Sequence, residues 1–240
     1  MSGHSKWATI KRQKGVADIK RGQTFTKIAN AITIAVRAGG GITNPDDNFH
    51  LRLAIEKARG VNMPKENIRN AIARAVGGEE KGVEEVVYEG FAPGGISVIV
   101  EAATENSQRT LNEIKNIFSR EEASFGQPGS VAHQFTNKGR IVINKEQKSL
   151  DEIFDLAVES GAEDVEEDGE TVSIYTSASD LSRVKEALLA KGLNISETEL
   201  VRVPIVFMSI EDSQKRDKVI NFLHKLEELD DVQKVYSNLK

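Results

Sequence analysis

The chain has 240 residues, a net charge of −5, 39% hydrophobic and 29% charged residues, and no cysteine. This is the composition of a globular chain of two or three domains, and it excludes a disulfide framework and every thiolate metal or redox site. No run approaches the ~18–20 apolar residues needed to span a bilayer, and residues 1–20 carry no apolar signal stretch, so the expectation is a cytoplasmic protein with no membrane partner.

The charge is segregated along the chain. Residues 1–76 hold 14 Lys and Arg against 5 Asp and Glu, a net +9, while residues 77–240 hold 18 against 32, a net −14. Such asymmetry points to a polyanion partner at the basic end, with the acidic remainder limiting indiscriminate adhesion.

In chain order, residues 1–23 are basic with no helical period and read as an extended arm. Lys6, Lys11, Arg12, Lys14, Lys20, Arg21 and Lys27 are candidate phosphate contacts, and Trp7 either stacks on an unpaired base or anchors the arm to the helices. Phe25, Ile28, Ala29, Ile32 and Val36 recur at helical spacing up to the stop at Gly39-Gly40-Gly41. Asn44-Pro45-Asp46-Asp47 carries the signals of a helix start, and Leu51, Ala54, Ile55 and Ala58 form the buried stripe that follows. After a turn at Gly60-Val61-Asn62-Met63, Pro64 opens a third helix with Ile68, Ile72 and Ala75 inside, closed by Gly77-Gly78. The second and third helices are either a helix-turn-helix, with Lys65, Asn67, Arg69 and Asn70 near the start of a recognition helix, or a plain packing unit with solvated charges.

Beyond residue 79 the pattern is α+β. Strands at 83–91 and 96–103 flank a hairpin turn at Ala92-Pro93-Gly94-Gly95; a helix at 107–122 and a strand at 130–135 follow. Then come a strand at 140–144, a helix at 149–160, strands at 164–166 and 171–176 around Asp168-Gly169, a helix at 179–191 from a Ser cap, and a strand at 195–203. That β-α-β-β-α-β order is ferredoxin-like and self-contained. A further strand at 205–210, a helix at 215–229 and a strand at 232–236 complete the elements interrupted by it. The expected architecture is therefore α+β and multidomain: a basic arm (1–23), a three-helix nucleic-acid-binding domain (24–78), a split α+β sandwich (79–138 with 205–240) and an inserted ferredoxin-like βαββαβ domain (139–204).

His4, His50, His133 and His224 are scattered without ligand spacing, Gly39-Gly40-Gly41 lacks the Lys-Ser/Thr of a phosphate loop, and no nucleophile–base pair stands in a catalytic context. The acids at 163–170 read as a solvated face. No cofactor, small-molecule substrate or catalytic residue is expected; the alternative to nucleic-acid binding is a scaffold that uses its acidic domains.

Gly3-His4-Ser5-Lys6-Trp7, Ile10-Lys11, Lys14-Gly15, Arg21-Gly22, Phe25-Thr26-Lys27, Asn62-Met63-Pro64-Lys65, Tyr88-Glu89-Gly90, Pro93-Gly94-Gly95, and Asp230-Asp231-Val232-Gln233 with Val235-Tyr236 together resemble the YebC/PmpR family over nearly the whole chain. The resemblance implies three domains, one helical and two α+β, in a regulator of gene expression that binds DNA. It also implies an alternative, because a mitochondrial relative is described as a translational activator and bacterial members are linked to ribosomes stalled on proline-rich sequence, which makes ribosomal RNA the second expected ligand. Gln13 stands where many relatives carry a basic residue, and His133-Gln134 where an aromatic is frequent.

Overall fold

The computed structural model describes residues 19–77, 82–145 and 148–240, with side chains from residue 22 onward. Three helices, α1 (Ile19–Ala38), α2 (Phe49–Gly60) and α3 (Lys65–Val76), form the N-terminal unit. Both shorter helices pack on α1 around Ile28, Ile32, Val36, Leu51, Ile55 and Ile68.

The backbone reverses twice by the same device. Gly40 takes a left-handed φ of 69° after α1, and the amides of Gly40 and Gly41 bond back to Arg37 and Val36. After α2, Asn62 takes φ 58° while the Asn62 and Met63 amides bond to Arg59 and Ala58. Both are Schellman closures, and Met63 is buried behind the second.

Helix α1 begins four residues before the expected end of an extended arm at residue 23. The residues of this first turn carry no apolar period but tolerate a helix. The start of α2 also differs from expectation. Asn44 closes a local turn, its Oδ1 accepting from Asp46 N–H at 3.2 Å and its Nδ2 donating to Asp47 at 2.7 Å. The working N-cap is Asn48, whose Oδ1 accepts from Leu51 N–H at 3.0 Å. Its Nδ2 donates to the carbonyls of Ala35 and Ile42 at 2.9 and 3.1 Å, so one buried side chain starts α2 and satisfies the end of α1. Gly39 makes room for it, since a Cβ there would sit 2.3 Å from Asn48 Nδ2.

Two four-stranded antiparallel sheets follow. The first comprises β1 (Glu84–Ala92), β2 (Ile96–Thr104), β3 (Ser124–Phe125) and β8 (Val232–Ser237) in the order β3-β1-β2-β8, with α4 (Ser107–Arg120) and α7 (Ser213–Glu227) on one face. Phe118 of α4 meets Phe222 of α7 edge-on at 5.0 Å, and reaches the sheet because Gly90 has no Cβ. Between β3 and β8 the chain builds the second sheet, β5-β6-β4-β7, from β4 (Phe135–Asn144), α5 (Leu150–Ser160), β5 (Asp164–Asp168), β6 (Thr171–Ser177), α6 (Leu181–Ala190) and β7 (Ile195–Pro204). This is the ferredoxin-like order, inserted into the first sandwich. Ser149 and Glu152 form a capping box at α5. Helix α6 starts after Asp180, whose amide bonds to Ser177 Oγ at 3.1 Å, and not at the expected Ser179.

Two expected strands are absent. Residues 130–135 form a 3-10 turn (Ala132–Gln134) leading into β4, which therefore starts at Phe135 and not at residue 140. The buried carboxylate of Glu89 explains this: it accepts from the amides of Gly129, Val131 and Ala132 at 2.7–2.8 Å, and those amides are lost to a strand ladder. Residues 205–210 form no strand beyond one bridge between Met208 and Leu239; the Ile205 amide, bonded to the carbonyl of Gln134 at 2.8 Å, extends the pairing of β7 with β4 by one residue.

Replacing Asn48 with Ala removes a cap worth about 1 kcal/mol and takes the Asn48 donor from the Ile42 carbonyl at about 1 kcal/mol, with a smaller cost at Ala35, whose carbonyl keeps the Gly39 amide. Urea denaturation is expected to show a loss of about 2–3 kcal/mol with an unchanged m-value. Burial pushes the Glu89 carboxyl up, but the three amides and the charge of Arg202 more than offset this and hold it below the usual carboxylate range. Its contribution is therefore complete above the unfolded pKa of about 4.3 and fades as pH falls through the lower folded value. The stability gap between the native chain and Glu89→Gln, expected at about 1–3 kcal/mol at pH 7, should narrow in denaturant melts repeated below pH 4.

Candidate nucleic-acid interface

Helix α3 keeps Ile68 and Ala71 inside, which turns Lys65, Asn67, Arg69 and Asn70 to solvent. Lys65 and Arg69 are four residues apart and so share one stripe, the first near the N-terminus and the second a turn later. No described carboxylate pairs with either, although Glu66 lies exposed between them. Arg59, exposed in the last turn of α2, stands on the connection that leads into α3. The sequence reading missed Arg59, because a basic residue in a last turn is equally explained by the helix dipole.

Three further cations of this unit are engaged with neighbouring elements. Arg74 Nη2 donates to Asn30 Oδ1 at 2.7 Å, and its Nη1 reaches Glu105, before α4, at 3.5 Å. Arg37 donates to the carbonyl of Val83 at 3.1 Å. Lys27 was expected to contact phosphate, but its ammonium donates to the carbonyl of Glu227 at the end of α7, at 2.6 Å. It lines an open recess of about 150 Å³ with Gln23, Thr24, His224, Glu227 and Glu228. Lys27 thus docks the helical unit on the split sandwich. Lys6, Trp7, Lys11, Arg12 and Lys14 lie outside the described residues, as do the side chains of Lys20 and Arg21 at the start of α1.

The inserted unit meets the helices through Leu53 and Phe49 of α2, which join its core, and through Lys185, paired with Glu56 at 2.6 Å. Where the two sheets meet, Glu199 of β7 pairs with Arg140 of β4 and, at 2.8 Å, with Lys234 of β8. Burial pushes the Glu199 carboxyl up, yet Lys234, Arg140 and Lys57 hold it far below the ordinary range. Tyr175, buried beside Arg140, has its phenol pushed up to about 12 by burial. These shifts belong to an internal joint. Among the described residues no group of three His, Asp or Glu side chains is arranged to hold a metal ion, and no helix is long and apolar enough to cross a membrane.

Residues 5–78 match the model of the TACO1/YebC protein N-terminal domain, and residues 83–239 match that of the TACO1/YebC second and third domain. Similar proteins include one of Herpetosiphon aurantiacus, 48% identical over all of this chain and 95% of its own length, and one of Trichlorobacter lovleyi, 44% identical over 99% of this chain and 95% of its own. Both are named "Probable transcriptional regulatory protein". The crystal structure of a conserved hypothetical protein, Aq1575 from Aquifex aeolicus, superposes with a TM-score of 0.91 at 42% identity, covering 98% of this chain and 97% of that one. The two domain models together cover nearly the whole described fold, and the chain belongs to the TACO1/YebC family.

Proposed function

We propose that this protein is a non-enzymatic regulator of gene expression that binds nucleic acid through its N-terminal helical unit and the residues before it, acting in the cytoplasm without a cofactor. The observation that carries the reading is the charge segregation: a net +9 over residues 1–76 beside a net −14 over the rest. Lys and Arg at such density neutralise phosphates and release counterions, and the acidic units repel a polyanion from the remaining surface.

In this reading Lys6, Lys11, Arg12, Lys14, Lys20 and Arg21 contact phosphates, Trp7 stacks or anchors, and the exposed pair Lys65 and Arg69 extends the contact along α3. Duplex DNA is the leading ligand, supported by the transcriptional names of the relatives. Ribosomal RNA is the alternative. Glu66 in the first turn of α3 favours it, since this acid lowers the positive potential where a recognition helix would meet the duplex.

The Lys65→Ala/Arg69→Ala variant is expected to lower affinity for every duplex and to flatten the dependence of log K on log salt by up to about 2, near 0.9 for each phosphate no longer neutralised. Anisotropy titrations across a salt series read this directly, and an unchanged slope contradicts the role of α3. In the same assay Lys27→Ala should leave the slope alone while lowering stability by about 1–2 kcal/mol, because its ammonium serves the Glu227 carbonyl. Preference for one duplex site by ~10³-fold or more over random duplex supports transcriptional regulation. Salt-sensitive co-sedimentation with ribosomes, without such preference, moves the ligand to ribosomal RNA.

A further inference from the structure

The inserted sandwich presents an apolar strip that its own fold does not use. On α5, Ile153 and Ala157 are buried in the core, while Phe154 and Val158, one helical turn apart, are 49% and 52% exposed. On the adjacent α6, Leu189 is 48% exposed. Lys191, two residues beyond it, donates to Glu159 at 2.5 Å, and Arg183 donates to the carbonyl of Ser160 at 3.2 Å, so the last turn of α5 lies against α6.

The rim along α5 is anionic, with Asp151, Glu152 and Asp155 exposed, while along α6 Glu186 stands with Arg183 and, just past the helix, Lys191, cations already paired with Asp180 and Glu159. Residues 135–204 as a whole hold 8 Lys and Arg against 15 Asp and Glu. This charge selects among occupants. A phosphate backbone or an anionic membrane meets like charge, and so does a second copy applying the same face. A cationic segment with apolar side chains meets both an opposite rim and a hydrophobic seat.

We propose that the outer face of α5 and α6 is a docking surface for a cationic amphipathic segment of another protein, with Phe154 and Val158 as the apolar anchors and Asp151 and Asp155 as the charge partners. The chain then has opposed ends: a basic one for a polyanion and an acidic, apolar one for a basic protein.

The test uses the full chain and a fluorescein-labelled helical peptide of about 18 residues, or five turns, built from Lys and Leu, beside a Glu/Leu counterpart. Anisotropy is expected to show the cationic peptide binding, with affinity reduced about tenfold by Phe154→Ser/Val158→Ser and about tenfold by Asp151→Asn/Asp155→Asn. All four positions lie outside the buried core, so thermal melts should match the native chain. Equal binding to the native chain and the serine variant reduces the effect to bulk charge and overturns the proposal. Equal or tighter binding of the Glu/Leu peptide overturns it too, as does a native dimer in sedimentation equilibrium that the serine variant converts to monomer, because a second copy then covers the face.

Discussion

The carboxylate of Glu199 sits where all three units meet. Its side chain is 13% exposed, Arg140 reaches it from its own sheet and Lys234 from the other, and Lys57 adds the field of α2. Beside it Lys234 donates to the carbonyl of Leu200 at 2.6 Å and Arg202 pairs with Glu101 at 2.7 Å, so the edge of β7 is joined to β8 and β2 through charged groups. A buried ion pair adds little net stability, because desolvating the charges costs about as much as their attraction returns, but losing one partner leaves the other uncompensated. The joint therefore sets the angle of the inserted unit more than it supplies stability. That angle determines where the acidic helix α5 lies relative to the basic helices.

Local grammar made much of this fold legible. The β-α-β-β-α-β order, the Asp168-Gly169 hairpin and the helix that opens at Ser149 are short-range features that act where they are written. What was not legible depended on partners far along the chain. Glu89 removes three amides some forty residues away from strand pairing, so residues 130–135, with a strand-like alternation, become a turn. Asn44 and Asn48 offer similar capping chemistry, and Asn48 is chosen because its amide also meets the end of α1. Gly139 lies within β4, where a Cβ would come within 2.5 Å of Thr176 Oγ1.

The interface was readable as a charge density and less so as a set of contacts. Counting Lys and Arg identifies the basic third, but a count treats Lys27, Arg37 and Arg74 like Lys65 and Arg69. The structure separates them: the first three donate to carbonyls or side chains that join the units, while the last two and Arg59 remain on the surface. The basic unit thus devotes part of its charge to assembly and presents the rest outward.

The most direct test is to irradiate the protein bound to a photoreactive duplex, and separately to a photoreactive ribosomal RNA fragment, and to map the adducts by mass spectrometry. The account requires adducts within residues 1–76, concentrated on the chain before α1 and on the stripe of Lys65 and Arg69, with the better ligand giving more adducts at the same positions. Adducts concentrated in residues 135–204 would contradict it, because the polyanion would then sit on the acidic unit and the charge segregation would have nothing to do with binding.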